Sequence, residues 1–156
     1  MEANIGISVE NTKNIVDILN RLLADEYVLY TKTRNYHWNV TGMQFNDLHK
    51  FFESQYEEID GVIDEVAERG RSLGGKAIAT LSEFVGNSRI KEQPDTYPEA
   101  QTMLRNLLVD HETVIQTLRR DLEVCAKLGD AGTSDFLTGL MEQHEKMAWM
   151  LRAFLE

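Results

Sequence analysis

Five side chains of the types that bind metal ions lie in one stretch of this 156-residue chain: His37, His49, Glu53, Asp64 and Glu68. The hydrophobic pattern predicts that the last four lie on one helix. His49 and Glu53 are four residues apart on that helix and therefore share a face. Asp64 and Glu68 repeat this spacing on nearly the same face. Imidazole and carboxylate groups together suit a divalent metal such as ferrous iron, so the pattern predicts a metal site.

The two ends of this helix are too far apart to share one ion. His49 and Asp64 are 15 residues apart, so they differ by only about 60° around the helix axis but by roughly 22 Å along it. Metal–ligand bonds are about 2.0–2.2 Å long. The pattern therefore predicts that the histidine end of one chain meets the carboxylate end of a second copy. An antiparallel two-fold dimer makes this contact twice and creates two identical sites.

The pattern of apolar residues is helical along the whole chain and favours one all-α domain spanning residues 1–156. The first helix is predicted from about residue 10 to His37, and it ends at a turn over residues 39–43. The second is predicted from Phe45 to Gly70, followed by a glycine stop at residues 74–75. It carries one apolar stripe for its own bundle, and the predicted metal ligands lie on a neighbouring stripe that can face a partner.

The second half of the chain is predicted to begin with a long crossover over residues 76–95, in which Phe84 lies on a short helix. The segment Thr96–Glu99 has the form of a capping box and is predicted to open the third long helix, which ends at Gly129. The fourth long helix starts near Thr133. A connection this long between the second and third helices permits a bundle in which the simple up-and-down order is reversed.

The joint spacing of these residues resembles the Dps family of mini-ferritins, the DNA-binding proteins from starved cells, along nearly the whole chain. The matching motifs are His37-Trp38-Asn39 with Gly42, then His49, Asp64–Arg69 and Leu73–Gly75. The resemblance implies a ferritin-like four-helix bundle and a hollow shell of twelve copies built from two-fold dimers. It also implies a ferroxidase that oxidises ferrous iron, with hydrogen peroxide preferred over oxygen, and stores the ferric mineral. Iron storage and protection from oxidative stress would then be one activity.

The resemblance implies roles for individual side chains. Four residues are expected to bind and oxidise iron at the shared site: His37, His49, Asp64 and Glu68. Glu53 is expected to bind or orient the metal, and Trp38 to intercept an oxidising equivalent. The residues themselves leave other interpretations open, because paired histidines can be structural, exposed carboxylates can form a solvated face, and Trp38 can be a core or interface aromatic.

Acidic residues near the start of the last helix have two interpretations. They can cap the helix and complement its dipole. In Dps-like shells, acidic residues at this place line pores through which ferrous ions enter. Asp135 is therefore the pore candidate and a predicted metal-binding residue, with Asp130 and Glu142 as further candidates.

His111 and His144 are predicted to be core histidines, because each lies on the apolar stripe of its helix. Neither follows a glutamate by three residues. The chain therefore lacks the Glu-x-x-His motif from which larger ferritin-like proteins build a di-iron centre inside one bundle. Cys125 also lies on an apolar stripe and is predicted to be a buried, reduced thiol.

The chain has 16 basic and 26 acidic residues, which gives a formal charge of −10. This charge repels nucleic acid unless basic residues are segregated, and residues 1–14 contain one lysine and two glutamates, so direct DNA binding is not expected. Two alternatives to iron oxidation stay open: a DNA-compacting nucleoid protein, and a structural shell whose site holds zinc. No apolar run reaches membrane-spanning length and the start lacks a secretory signal pattern, which predicts a soluble cytoplasmic protein.

Overall fold

The computed structural model describes residues 3–156, and all regular structure in that range is helical. Five helices follow one another in chain order: α1 Val9–Asn39, α2 Phe45–Ser72, α3 Leu81–Asn87, α4 Ala100–Lys127 and α5 Ala131–Ala153. The predicted all-α fold, with four long helices and a short helix between the second and third, is confirmed. Met1 and Glu2, which belong to the predicted domain, lie outside the described residues.

Two consecutive glycines follow the end of α2. Gly74 has a φ of +89°, a left-handed conformation that residues with a Cβ adopt only at a cost, and its N–H donates to the carbonyl of Arg71 at 2.9 Å. Gly75 packs so tightly against α1 that a Cβ built on it would lie 2.5 Å from the methyl carbons of Val16. These glycines therefore end the helix and also let the chain pass close to α1.

The capping box occurs at α3 and not at α4. The Oγ1 of Thr80 accepts from the backbone N–H of Glu83 at 3.3 Å, and the Glu83 carboxylate accepts from the N–H of Thr80 at 3.0 Å. The capping box predicted at Thr96–Glu99 is wrong, because α4 begins only after this segment and the Thr96 hydroxyl donates to the carbonyl of Pro94. Pro98 explains the difference, since a proline disfavours helical conformation in the residue before it.

The crossover is anchored to α1 by a largely buried ion pair. Asp25 is 1% exposed and accepts from the backbone N–H of Arg89 at 2.6 Å and from its Nε at 2.8 Å. Phe84 and Ile90 are buried, and Phe84 stacks on Tyr27 of α1 with 4.2 Å between the ring centroids. These charge-assisted and apolar contacts hold the long connection against the bundle.

One hydrophobic core lies between the four long helices, with α1 packed mainly against α2 and α4 against α5. Completely buried side chains come from every long helix and include Leu22, Phe52, Leu118 and Leu151. Each buried side chain of this size stabilises the fold by about 1.5–3 kcal/mol. Within residues 3–156, none of the helices has the length and hydropathy needed to span a membrane. The α1–α2 pair carries all the predicted ligands of the shared site.

Candidate metal site

His37 and His49 form a pair that is held together by reciprocal hydrogen bonds. His37 lies in the last turn of α1 and His49 near the start of α2. The Nδ1 of His37 lies 2.7 Å from the backbone oxygen of His49, and the Nδ1 of His49 lies 2.8 Å from the backbone oxygen of His37. A carbonyl oxygen only accepts, so each Nδ1 must carry a proton and donate it. Each Nε2 of the neutral ring is then left with a free lone pair, the form in which imidazole binds a metal.

Aromatic packing fixes the planes of the two imidazoles. The rings of His37 and His49 stack with 3.8 Å between their centroids and 17° between their planes. Phe45 stacks on His49 at 5.1 Å, and Tyr56 meets His37 edge-on at 5.2 Å. His37 is only 6% exposed. The pair is therefore preorganised by hydrogen bonds and by packing, as metal ligands require.

Glu53 lies one helical turn after His49 and is half-buried. The hydroxyl oxygen of Tyr56 lies 3.5 Å from the Oε1 of Glu53, at the limit of a hydrogen bond in which the tyrosine donates. Burial and then the negative charge of Glu53 raise the pKa of Tyr56, which keeps its proton in place for this contact. Tyr56 thus contacts both a predicted ligand ring and Glu53. Sequence reasoning placed it only on the apolar stripe, although its position three residues after Glu53 was visible.

Asp64 and Glu68 are exposed near the other end of α2. In the part of the chain that the structure describes, neither carboxylate makes a side-chain hydrogen bond or an ion pair, and no three His, Cys, Asp or Glu side chains are grouped so that they could hold a metal ion. The structure therefore brings His37 and His49 together but leaves Asp64 and Glu68 apart from them within one chain. The carboxylates are free for a second protomer.

Trp38 lies on the surface beside the histidine pair, with 64% of its side chain exposed. The guanidinium of Arg34 lies 5.2 Å from its ring centroid and 4.6 Å from that of Tyr56. Phe45 is 46% exposed on the same side of the α1–α2 turn as its stacking partner His49. Sequence reasoning missed Arg34, although it precedes Trp38 by one helical turn. Exposed aromatic groups around the pair are typical of a surface that meets a partner.

The acidic residues near α5 have different environments. Asp130 is 4% exposed and caps α5 by accepting from the N–H of Thr133 at 2.8 Å, and Arg69 of α2 donates to it at 3.1 Å. Burial by itself would raise the pKa of Asp130, but the Thr133 hydrogen bonds and the Arg69 charge outweigh it, so the pKa is lowered. The capping interpretation of Asp130 is confirmed. Asp135 and Glu142 are exposed on α5, so their role at a pore stays a prediction.

The predicted core positions of His111, His144 and Cys125 are confirmed, because each of these residues is 0% exposed. The Nδ1 atoms of the two histidines lie 2.9 Å apart. Burial and then the charges of Asp121 and Asp130 raise the pKa of Cys125 to about 11, so its thiol is protonated at neutral pH.

Comparison with known proteins first defines the class: residues 16–156 match the model of the ferritin-like domain. Among relatives, DNA protection during starvation protein 2 of Bacillus anthracis is 42% identical over 144 residues, which is 92% of this chain and 97% of the relative. A low temperature-induced protein of Nostoc is 45% identical over 154 residues, covering 98% of this chain and 86% of that protein. The Dps structure from Vibrio cholerae superposes with a TM-score of 0.93 at 32% identity over 99% of this chain and 97% of that one. The chain belongs to the Dps family within the ferritin-like superfamily.

Proposed function

We propose that this protein oxidises ferrous iron, its substrate, at sites shared between two protomers and stores the ferric product inside a shell of twelve chains. One protomer would supply His37 and His49, and its two-fold mate would supply Asp64 and Glu68. The reciprocal hydrogen bonds of the histidine pair carry the proposal. They commit both Nδ1 protons to backbone carbonyls and leave two Nε2 lone pairs for a metal.

A second protomer completes this half-site. The described part of one chain groups no third acidic or histidine ligand with the pair. Two ring nitrogens alone bind a divalent ion weakly and leave most of its coordination positions open. Asp64 and Glu68 are exposed, and by the helix rise they lie roughly 22 Å and roughly 28 Å beyond His49 along α2. An antiparallel two-fold arrangement of α2 helices brings the opposite ends together, and its symmetry makes two sites per dimer.

The chemistry follows from the ligand types. Imidazoles bind ferrous iron, and the harder carboxylates favour the ferric product, so the mixed set assists oxidation. Open coordination positions admit the oxidant. Two ferrous ions supply the two electrons that reduce one hydrogen peroxide to two water molecules, with two protons taken up. This reaction removes iron and peroxide together, which accounts for storage and oxidative-stress protection as one activity.

Three further residues have proposed roles around the site. Glu53 lies one turn after His49 on the same face of α2, where it would bind the metal or orient the imidazole of His49. Trp38, exposed beside the pair, would intercept an oxidising equivalent when fewer than two ferrous ions are present. Asp135, exposed near the start of α5, would attract ferrous ions at an entry pore of the shell.

Ferrous iron added under anaerobic conditions, followed by hydrogen peroxide or by oxygen, tests the proposal. We expect rapid formation of ferric absorbance with peroxide, slower oxidation with oxygen, and a particle of twelve 17.9-kDa chains, about 215 kDa, in native mass spectrometry. Anaerobic binding of zinc with no acceleration of iron oxidation would instead favour the structural zinc shell. A stable monomer that oxidises iron rapidly would exclude the shared site.

A second candidate, direct protection of DNA by binding, is favoured by one observation: several relatives are named DNA protection during starvation proteins. From the net charge we expected no direct DNA binding. The names of these relatives do not support that expectation, which stays a prediction. The net charge of −10 per chain argues for protection through the removal of iron and peroxide. A DNA gel shift measures direct binding and ferric absorbance measures iron oxidation, so the two functions can be tested separately.

A further inference from the structure

Glu26, His144 and His111 form a line of buried polar side chains that the proposed function does not use. They come from α1, α5 and α4 respectively, and each is 0% exposed. The Nε2 of His144 lies 2.9 Å from the Oε1 of Glu26, and the Nδ1 atoms of His144 and His111 lie 2.9 Å apart. His144 turns one ring nitrogen toward each neighbour. One imidazole therefore joins three helices across the interior of the bundle.

The two contacts determine how many protons the line can hold. Two ring nitrogens 2.9 Å apart need one proton between them, because two bare nitrogens repel each other and two N–H groups collide. The contact between His144 and the Glu26 carboxylate is an ion pair by distance and is not aligned as a hydrogen bond, and the negative charge of Glu26 favours a second proton on the His144 ring. If His144 is an imidazolium, one of its N–H groups points to the Nδ1 of His111 and the other to the Glu26 carboxylate. With an ionised Glu26 the three side chains together are electrically neutral. The third proton then lies on the Nε2 of His111, which has no hydrogen-bond partner among residues 3–156.

An additional proton has no place in this arrangement. On the Nδ1 of His111 it would set two N–H groups against each other and put two cationic rings side by side in a sealed core. In agreement with this geometry, burial and then the charge of His144 hold the pKa of His111 well below 6.5. Unfolding separates the two rings and exposes them to water. The unfolded chain therefore binds this proton at the ordinary pKa of histidine.

The other charged groups near the line already have partners or lie at the surface. Beside Glu26 on α1, Asp25 is bonded to Arg89. On α4, Asp110 next to His111 pairs with Lys32 of α1 at 2.6 Å. Glu112 and Glu145, which follow the two histidines in sequence, pair with Arg152 and Arg119 at the surface. The buried residues of α2 carry no ionisable group, and the buried residue of α3 is Phe84.

We propose that Glu26, His144 and His111 form an acid-sensitive lock, which holds α4 and α5 against α1 near neutral pH and weakens the bundle as the solution is acidified. The direction follows from proton binding. Below about pH 6.5 the unfolded chain binds one more proton than the folded line can accept, so the folded state loses stability as the pH falls.

Guanidinium unfolding of the full-length assembled protein, followed by circular dichroism at one chain concentration, tests the lock between roughly pH 7.5 and 5.5. For the wild type, this one proton should raise the unfolding equilibrium constant by up to about tenfold for each pH unit below about 6.5. His111→Asn keeps a polar atom near the Nδ1 position but cannot be protonated. We expect its pH dependence to be shallower than that of the wild type by about one proton per chain.

Val114→Ala is the matched control, because Val114 is also buried on α4 and lies three residues after His111. It should lower stability at every pH and keep the wild-type slope. A His111→Asn slope equal to that of the wild type would overturn the lock. If His111→Asn does not fold, the same unfolding experiment is carried out on Glu26→Gln. The loss of the His144 counter-ion should move the onset of acid destabilisation to higher pH. An unchanged onset would exclude the proposal. Neither result depends on iron oxidation.

Discussion

Mixed shells of two inactive variants test whether each metal site is shared between protomers. His49→Ala removes one imidazole, and Asp64→Ala removes one carboxylate roughly 22 Å away along the same helix. In a shell built from one variant, every site lacks one ligand, so each variant alone should nearly lose rapid iron oxidation. The proposed arrangement predicts that the two variants restore one another when they are assembled together.

The size of the recovery follows from the two-fold symmetry. Random pairing of equal amounts makes about half of the dimers mixed. In a mixed dimer, one site lacks both groups, while the other combines the intact His49 of one chain with the intact Asp64 of its mate. About a quarter of the sites are then complete, so the mixed shell should oxidise iron at about a quarter of the wild-type rate.

A matched mixture provides the control. His37→Ala and His49→Ala both damage the histidine half of the site, so every site in their mixed dimers receives a defective half and no recovery is expected. The assay is ferric absorbance after addition of ferrous iron and peroxide to co-expressed shells whose composition is verified by native mass spectrometry. Mixed His49→Ala and Asp64→Ala shells as inactive as either parent, or a recovery in the His37→Ala and His49→Ala mixture, would refute the shared site.

Three further predictions concern other parts of the molecule. The proposed shell should leave duplex DNA unshifted in a gel at roughly physiological salt, because the formal charge of −10 per chain repels the phosphate backbone; a shift that survives metal removal would favour direct binding. Cys125, with a pKa of about 11 and no exposure, should resist a maleimide at pH 7 until the chain unfolds, and fast labelling of the native protein would contradict its burial. Arg69→Ala should lower the free energy of unfolding by about 1–3 kcal/mol, since it leaves buried Asp130 without its cation. Because the pKa of Asp130 is lowered, this deficit should shrink as the pH falls below 3.8, with Arg69→Lys as the partial rescue, and a deficit that persists in acid would show another cause.

The helical fold could be predicted from the sequence because the apolar stripes are long and regular. The second helix, predicted from Phe45, begins at that residue in the structure. The error at the start of α4 arose from local chemistry. Thr80 to Glu83 and Thr96 to Glu99 have the same capping-box spacing, but Pro98 excludes the preceding residue from a helix and only the first segment makes the cap.

The candidate site could be predicted only in part. The spacing of His49 and Asp64 indicated two separate half-sites, because helix rise depends on residue number alone. The mutual backbone hydrogen bonds of His37 and His49 could not be predicted, since they depend on how the turn between α1 and α2 brings the two residues together. The contacts of Arg34 and the line from Glu26 to His111 were also missed, because a sequence pattern shows which residues are buried but not which atoms meet.

The acceptors in the histidine pair are main-chain oxygens, and this has a consequence for redesign of the protein. A backbone carbonyl persists whatever side chain stands at its residue, so replacing His49 leaves intact the oxygen that orients His37, and the reverse also holds. The two proposed ligands therefore depend on each other for ring stacking but not for the choice of tautomer. Asp, Glu or Cys could be introduced at either position while the other ring keeps its tautomer, so the metal preference of the proposed site could be altered one ligand at a time.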